Sequence, residues 1–483
     1  MFIYFVRSAA WPRKELFVFK SGKTSFLALI IGIALVFAII VLPLTGCDDG
    51  DNSDDTNQTP TVEDFDISGT GKVSYNGSAK TVTVKAKEGK TTGKVTVKYK
   101  GSTTAPSAAG TYTVTFDVAA ATGWNAASGL AAGELIIDDP ADIISLTPMK
   151  EQFSAYFMIG NIFNPGDVSG SSSVTNTRLT RHYNVLTAEN HMKPSYIAPS
   201  QGSYNFTMAD NMVNAAKASG FTVVGHTLLW HSQNANWMTS ANCTVANMRT
   251  YITAVVDHFK GRIYSWDVLN EVFPDGVNAT ADWKTAMRSN NPWFANQGYS
   301  FVYEGFLAAR LADTGAILYY NDYNLDNVGK ATMVFKMVEA VNQQYATAYP
   351  GETRKLIEGI GMQSHHNTNV QASSIKTSLN LFKSLGVKIS ISELDVLAQG
   401  YSSALEGANK SPAAGNNLTL QATRYSEYFK VFIEFKDIIE RVTFWGITDD
   451  KSWRSAGQPL LFDPSGKAKP AYYKVIEALT AKQ

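Results

Sequence analysis

From residue 145 onward, short continuous apolar runs alternate with longer stretches in which apolar side chains recur every three or four positions. A run that is apolar at every position suits a strand buried on both faces, whereas the three-to-four spacing suits a helix with one buried stripe. The runs predict strands over 156–160, 185–189, 222–227, 264–271, 317–322, 359–365, 387–393 and 442–447. The spacing predicts helices over 209–219, 245–260, 299–312, 330–349, 375–385 and 420–435. Eight strands alternating with helices point to an α/β fold, a (β/α)8 TIM barrel over 145–483 with enlarged loops. A doubly wound open sheet is the competing arrangement, but no Gly-rich phosphate-binding turn follows the first strand.

Residues 61–139 change period. Thr and Val alternate at 81–84, 94–99 and 111–116, and Asn76-Gly77 is a hairpin turn signal. Period 2 without a competing helical period predicts a small all-β, Ig-like sandwich, preceding the barrel. It resembles the bacterial Ig-like modules found beside secreted enzymes and adhesins. Its single tryptophan, Trp124, is expected in the core of a spacer or stalk, with a sugar platform as the alternative.

The first 46 residues read as a targeting segment. Arg7, Arg13, Lys14, Lys20 and Lys23 precede a continuous apolar run over 27–44, then Leu44-Thr45-Gly46-Cys47. This resembles a bacterial lipobox, in which Cys47 is lipidated and the preceding peptide removed. A plain membrane anchor is the alternative, because the run is close to the ~18 residues of a spanning helix. Either way the rest of the chain is exported and tethered to a membrane at the cell envelope or surface. Residues 47–60, acidic and without apolar periodicity, read as the linker.

Composition changes this picture little. Formal net charge is zero, so nothing favours nucleic acid as a partner. Cys47 and Cys243 are the only cysteines, which excludes a disulfide framework. Aromatic residues make up 12%, which suits sugar-stacking surfaces as well as a large core.

The chemistry lies at the strand ends. The second strand ends in Glu189-Asn190, followed by Lys193; the third at His226, with Trp230, His231 and Gln233 behind it. The fourth ends in Asn270-Glu271, the fifth in Asn321-Asp322-Tyr323-Asn324, and the sixth in Gln363-Ser364-His365. The seventh ends in Glu393 with Asp395 beyond, and the eighth carries Trp445, with Trp453 on the next loop. One polar strand end is ordinary, but seven in succession would converge on the face where parallel barrels keep their chemistry. Glu271 and Glu393, each closing an apolar run, are the minimum pair for splitting a glycosidic bond. No His/Cys cluster has metal-ligand spacing and no Gly-x-Ser-x-Gly elbow occurs, so neither a metal nor another cofactor is expected.

At these residues the chain resembles glycoside hydrolase family 10, the retaining endo-β-1,4-xylanases. The likeness runs through TAENHMKP (187–194), GHTLLWHSQ (225–233), WDVLNE (266–271), YNDYN (320–324), GMQSH (361–365), ISELD (391–395), WGITD (445–449) and Ser452-Trp453. It implies a barrel enzyme acting on xylan by double displacement, with Glu271 as general acid/base and Glu393 as nucleophile. It implies that Asn270 bonds the sugar 2-hydroxyl and that His365, supported by Asp395, holds Glu393 ionised. Glu189, Asn190, Lys193, His226, Trp230 and Gln233 would bind sugar, Tyr323 would join them, Gln363 would contact the acid/base region, and Trp445 and Trp453 would wall the site. The chain departs from the family pattern at Val272-Phe273, in place of a small residue, and at Asn161-Ile162-Phe163. The Gly/Ala/Ser/Asn-rich stretch 399–418 is expected as an enlarged loop over the site. Two other functions compete: a retaining β-1,4-glucanase on the same barrel, and a surface glycan-binding protein without catalysis.

Overall fold

A computed structural model describes residues 57–168 and 173–480. The apolar run at 27–44 and Cys47 lie outside the described residues. Among the described residues, no helix is long and apolar enough to cross a membrane.

The N-terminal part is all β: β1 (Phe65–Ser68), β2 (Gly71–Val73), β3 (Thr83–Ala86), β4 (Val95–Tyr99), β5 (Gly110–Val118) and β6 (Ala127–Ile137). β1 pairs antiparallel with β3, and the other four form a sheet in the order β2-β6-β5-β4. The alternation does the work expected of it. Val114, Phe116 and Val118 on β5 point inward, and Phe116 meets Phe65 edge-on with ring centres 4.9 Å apart. β6 was not predicted, because its Ala- and Gly-rich sequence has no period; its register against β5 shifts twice. Trp124 is a correction. It is half-buried, outside both apolar cores of the module, exchanging backbone bonds with Ala121 and lying 5.9 Å under the Lys90 ammonium.

Eight parallel strand positions close the barrel: β7 (Met158–Phe163), β8 (Val185–Ala188), β9 (Thr222–Leu229), β10 (Ser265–Asn270), β11 (Ile317–Asp322), β12 (Gly359–Met362) with its continuation β13 (His365–Asn367), β14 (Lys388–Leu397) and β15 (Ile439–Phe444). Each pairs with its neighbour, β12 also pairs with β14, and β15 closes onto β7. β8, β10 and β12 are buried at every position, as strands enclosed by helices must be. The helices show the complementary stripe. In Val245–His258 the buried residues are Met248, Tyr251, Ile252, Val255 and Val256, and the Thr244 hydroxyl caps the first turn by accepting from the Asn247 amide.

Five strand predictions need correction, among them the eighth, which runs Ile439–Phe444 rather than 442–447 and ends before Trp445. The first strand lies later than 156–160, because Tyr156 belongs to the turn that closes on Phe153. The sixth breaks at Ser364, whose φ of 62° turns the chain between β12 and β13. β9 and β14 run past His226 and Glu393 to Leu229 and Leu397, so these two side chains project from within strands rather than from their ends. The helices Val174–His182 and Pro470–Glu477 were not predicted. The inward face of the first carries Asn176 and His182 beside Leu179, which hides its apolar stripe.

Gly225 of β9 is in register with Trp266 of β10, and a Cβ there would fall 2.3 Å from the indole ring. Gly225→Ala should therefore destabilise the barrel by about 1–3 kcal/mol through overpacking. Urea unfolding of the two proteins measures this; unchanged stability would mean that the indole has room to move aside.

Candidate active site

At the carboxyl ends of the barrel strands lies a cleft of about 780 Å³. It brings together Glu189, Asn190, Lys193, His226, Trp230, Gln233, Asn270, Glu271, Tyr323, Gln363, His365, Glu393, Trp445 and Trp453. Of the predicted site residues within the described part of the chain, only Asp395 does not line it. Asp395 is fully buried one layer behind.

Glu393 sits at the bottom, 5% exposed. Burial by itself would push its carboxyl toward the neutral form. Three neighbours outweigh that and hold its pKa below the usual glutamate value: His365, His226 and Asn321. The His365 Nε2 lies 3.1 Å from Oε2, and the Asn321 amide donates to Oε1 at 2.7 Å. His365 is in turn held by Asp395, 2.9 Å from its Nδ1. Burial would discharge the ring, but the two carboxylates raise its pKa from 6.5 to about 9. Asp395 accepts from Arg454 at 2.6 Å and from the Trp453 indole at 3.1 Å. Burial would raise its pKa; His365 and Arg454 more than offset this and keep it low. The result is a buried row of alternating charge: Arg454, Asp395, His365, Glu393.

Glu271 is held differently. Its φ is 56°, in the left-handed region that costs a non-glycine residue on the order of 1 kcal/mol or more. Its Oε2 accepts from the Trp230 indole at 3.0 Å and its Oε1 from Gln363 at 2.9 Å. His231 stands 3.8 Å from Oε2. The Trp230 and Gln363 donors are neutral, and among the described residues no guanidinium or ammonium bonds the carboxyl. Asn270 lies between the two glutamates. Because Glu393 needs a donor, Asn321 must present its amide nitrogen, and the same nitrogen reaches the Asn270 oxygen at 2.9 Å. Ser392 donates to the Asn321 oxygen at 2.6 Å and fixes that choice. The opposite Asn270 orientation would bond it to the Trp230 indole but set nitrogen against nitrogen at Asn321 and Gln363. Asn270 therefore turns its own amide nitrogen toward Glu271, at 3.3 Å.

On one side of the cleft Lys193 donates to Asn190 at 3.1 Å and to Gln233 at 2.8 Å, with its ammonium 5.1 Å from the Trp230 ring centre. Burial lowers its pKa, against the pull of Glu393, Glu189 and Glu271. Trp445 is wedged between the His226 and His365 rings, edge-on to both. The loop over 399–418 contributes Tyr401 and Glu406 to the rim. Sequence reasoning missed the supporting role of Asn321 and Ser392, and it missed Arg288 and Arg454 altogether. Arg288 lies in a loop with no periodic signal, and nothing in its spacing marks it.

The family model for glycosyl hydrolase family 10 matches residues 148–478, and that for the MBG domain matches residues 68–140. An endo-1,4-beta-xylanase of Geobacillus stearothermophilus is 33% identical over 69% of this chain and 98% of its own length. Exoglucanase XynX of Acetivibrio thermocellus is 35% identical over 68% of this chain, which spans 29% of that longer protein. Among solved structures, a bacterial Ig-like domain containing GH10 xylanase from termite gut is 45% identical, with TM-score 0.69 over 80% of this chain and 93% of its own.

The charge row carries a pH signature. His365 has a raised pKa, so its contribution to stability is complete below 6.5 and is lost as pH rises through about 9. The difference in unfolding free energy between the native protein and His365→Gln should shrink over that window. Denaturant titrations at pH 6, 7.5 and 9 measure it; a difference that stays constant would mean that His365 is not charged in the native state.

Proposed function

The chain belongs to glycosyl hydrolase family 10, and we propose that it is a retaining endo-β-1,4-xylanase, with Glu393 as nucleophile and Glu271 as acid/base. What carries this reading is the unequal treatment of two carboxyls in one cleft. Glu393 is buried and kept ionised by the His365 imidazolium, as a nucleophile must be. Glu271 is oriented by the Trp230 indole and the Gln363 amide. These groups aim it into the cleft through hydrogen bonds from neutral donors.

In the first step a Glu393 oxygen attacks the anomeric carbon while Glu271 gives its proton to the departing glycosidic oxygen. The C–O bond to the leaving chain breaks, and an ester to Glu393 forms. Glu271, now ionised, takes a proton from water, the hydroxyl attacks the anomeric carbon, and Glu393 leaves with its charge restored. Asn270, fixed by Asn321 and Gln363, is placed to meet the 2-hydroxyl of the sugar being cleaved. His226 is tied through Nδ1 to Asp267 at 3.0 Å, which leaves its other nitrogen for sugar. Glu189, Asn190, Lys193 and Gln233 supply the remaining polar contacts on that side, Tyr323 lies on the other, and Trp445 and Trp453 give flat apolar walls to sugar C–H faces.

Xylan and cellulose differ by the hydroxymethyl group at C5. The exoglucanase relative favours a β-1,4-glucan as the second substrate class to test. Trp445, 6% exposed and held between two histidines, is the group such an addition would press against.

The export of the enzyme belongs to the same proposal. The basic start, the apolar run and Leu44-Thr45-Gly46-Cys47 support a lipoprotein tethered through Cys47, with 47–60 as the linker and the β module between membrane and barrel.

Glu393→Ala should abolish reducing-sugar release from xylan, and the native protein should release far more from xylan than from soluble cellulose. Turnover surviving in Glu393→Ala would remove the nucleophile assignment, and a preference for cellulose would replace the substrate. The full chain, expressed with its leader and labelled with palmitate, should take up label and be shortened to begin at Cys47, and Cys47→Ser should lose both the label and the shortening. An unlabelled, full-length native protein in the membrane would point to a spanning helix instead of a lipid.

A further inference from the structure

The left-handed backbone of Glu271 does not hold itself; bonds on both flanks pin it. The Glu271 amide donates to the Asn321 carbonyl at 2.9 Å, and the Val272 amide donates to the Tyr320 hydroxyl at 3.2 Å. The Glu271 carbonyl accepts from the Nε of Arg288 at 2.9 Å. That arginine is tied to the same turn by its own backbone, its amide donating to the Val272 carbonyl at 2.8 Å. Its Nη2 donates to the Tyr323 hydroxyl, and its guanidinium lies 5.6 Å from the Tyr323 ring centre. Arg288 thus lines the cleft beside the acid/base with two of its nitrogens committed to donors' work: one on the backbone of Glu271, one on a phenol of the next strand's loop.

We propose that Arg288 is a positioning residue for proton transfer, fixing the Glu271 carboxyl over the leaving oxygen by clamping the carbonyl of the same residue; this rests on the reading of Glu271 as acid/base. A charged donor makes a stronger bond to a carbonyl than a neutral one does. The rigid planar fork is what lets a single side chain reach the Glu271 carbonyl and the Tyr323 hydroxyl together. If the clamp opens, the Glu271 carbonyl loses its side-chain donor, the bonds at the two neighbouring amides alone oppose relaxation of φ, and the carboxyl shifts with the peptide. Small displacements of a catalytic group are enough to lose much of its contribution.

A misplaced acid is felt only where the leaving group needs a proton. Aryl β-xylobiosides with phenols of graded acidity, assayed with the full chain, separate this from general damage. Their kcat/KM reports the steps through the first bond cleavage. Arg288→Met should lower kcat/KM by roughly 10- to 100-fold on xylan and on the least acidic phenol, but by less than about 3-fold on a dinitrophenyl xylobioside. Arg288→Lys, which keeps the charge without the fork, should show the same selectivity with a smaller loss, and it carries the test if the methionine variant does not fold. Equal losses across the series would overturn the proposal and leave Arg288 a structural residue. Glu271→Ala is run beside them. If it too shows no dependence on the leaving group, the acid/base assignment itself fails; if it is selective while both Arg288 variants are not, only the clamp fails.

Discussion

A carboxylate buried as deeply as Glu393 keeps its charge only if the protein returns what water would have supplied. Here the return comes from His365, and His365 is cationic only because a second buried carboxylate, Asp395, lies on its far side. Asp395 in turn requires Arg454 and the Trp453 indole. The row depends on strand pairing. His365 on β13 and Asp395 on β14 are direct register partners, and Glu393 is two residues before Asp395, so both acids project to the same side of one strand. Removing any member leaves an uncompensated buried charge, so the row must be kept whole.

The acid/base obeys the opposite requirement. It must lose and regain a proton, so cations fixed on its oxygens would defeat it, and orientation has to come from neutral donors and from the backbone. The backbone share is visible along the rim. Gln233, Glu271, Asn324 and Ser364 all take positive φ, and they follow β9, β10, β11 and β12 respectively. A residue in that region reverses the chain within a single position, which lets consecutive strands deliver side chains into one cleft before their loops leave. Conformational strain at the mouth of four neighbouring strands is therefore part of how the site is assembled.

What the sequence revealed follows from the same physics. A buried parallel strand is apolar at every position, so polar groups such as Asn270-Glu271 stand out against it, and nearly every predicted lining residue entered the cleft. The strand limits were less visible where a strand continues past its functional residue. Ile391-Ser392-Glu393-Leu394-Asp395 reads as an apolar run closed by an acid, yet β14 carries on, because Glu393 and Asp395 are satisfied inside the barrel. The supports were hidden for a different reason. Asn321 and Ser392 act through bonds to residues far along the chain, and Arg288 acts through a backbone carbonyl. Hydrophobic period carries no record of such pairings. The helix Val174–His182 and β6 were lost because polar or glycine-rich faces masked their buried side.

The β module adds a constraint on how the barrel is presented. A spacer that only lengthened the chain would need no contact with the enzyme. Instead Tyr75 meets Tyr473 edge-on with ring centres 5.6 Å apart, and the Tyr473 hydroxyl accepts from the Ala141 amide at 3.2 Å. Gly77, in the Asn76-Gly77 turn, lies so near Pro470 that a Cβ would stand 2.6 Å from the proline ring. The junction is held by the backbone as well, through the Ile143 amide on the Gly466 carbonyl and the Ala468 amide on the Ala141 carbonyl. The Asn76-Gly77 turn closes no hairpin, since β2 pairs with β6 and β3 with β1; its glycine instead permits the close approach to the helix Pro470–Glu477 that follows the last barrel strand. Module and barrel thus touch along a seam formed by Tyr75 with Tyr473 and Gly77 with Pro470.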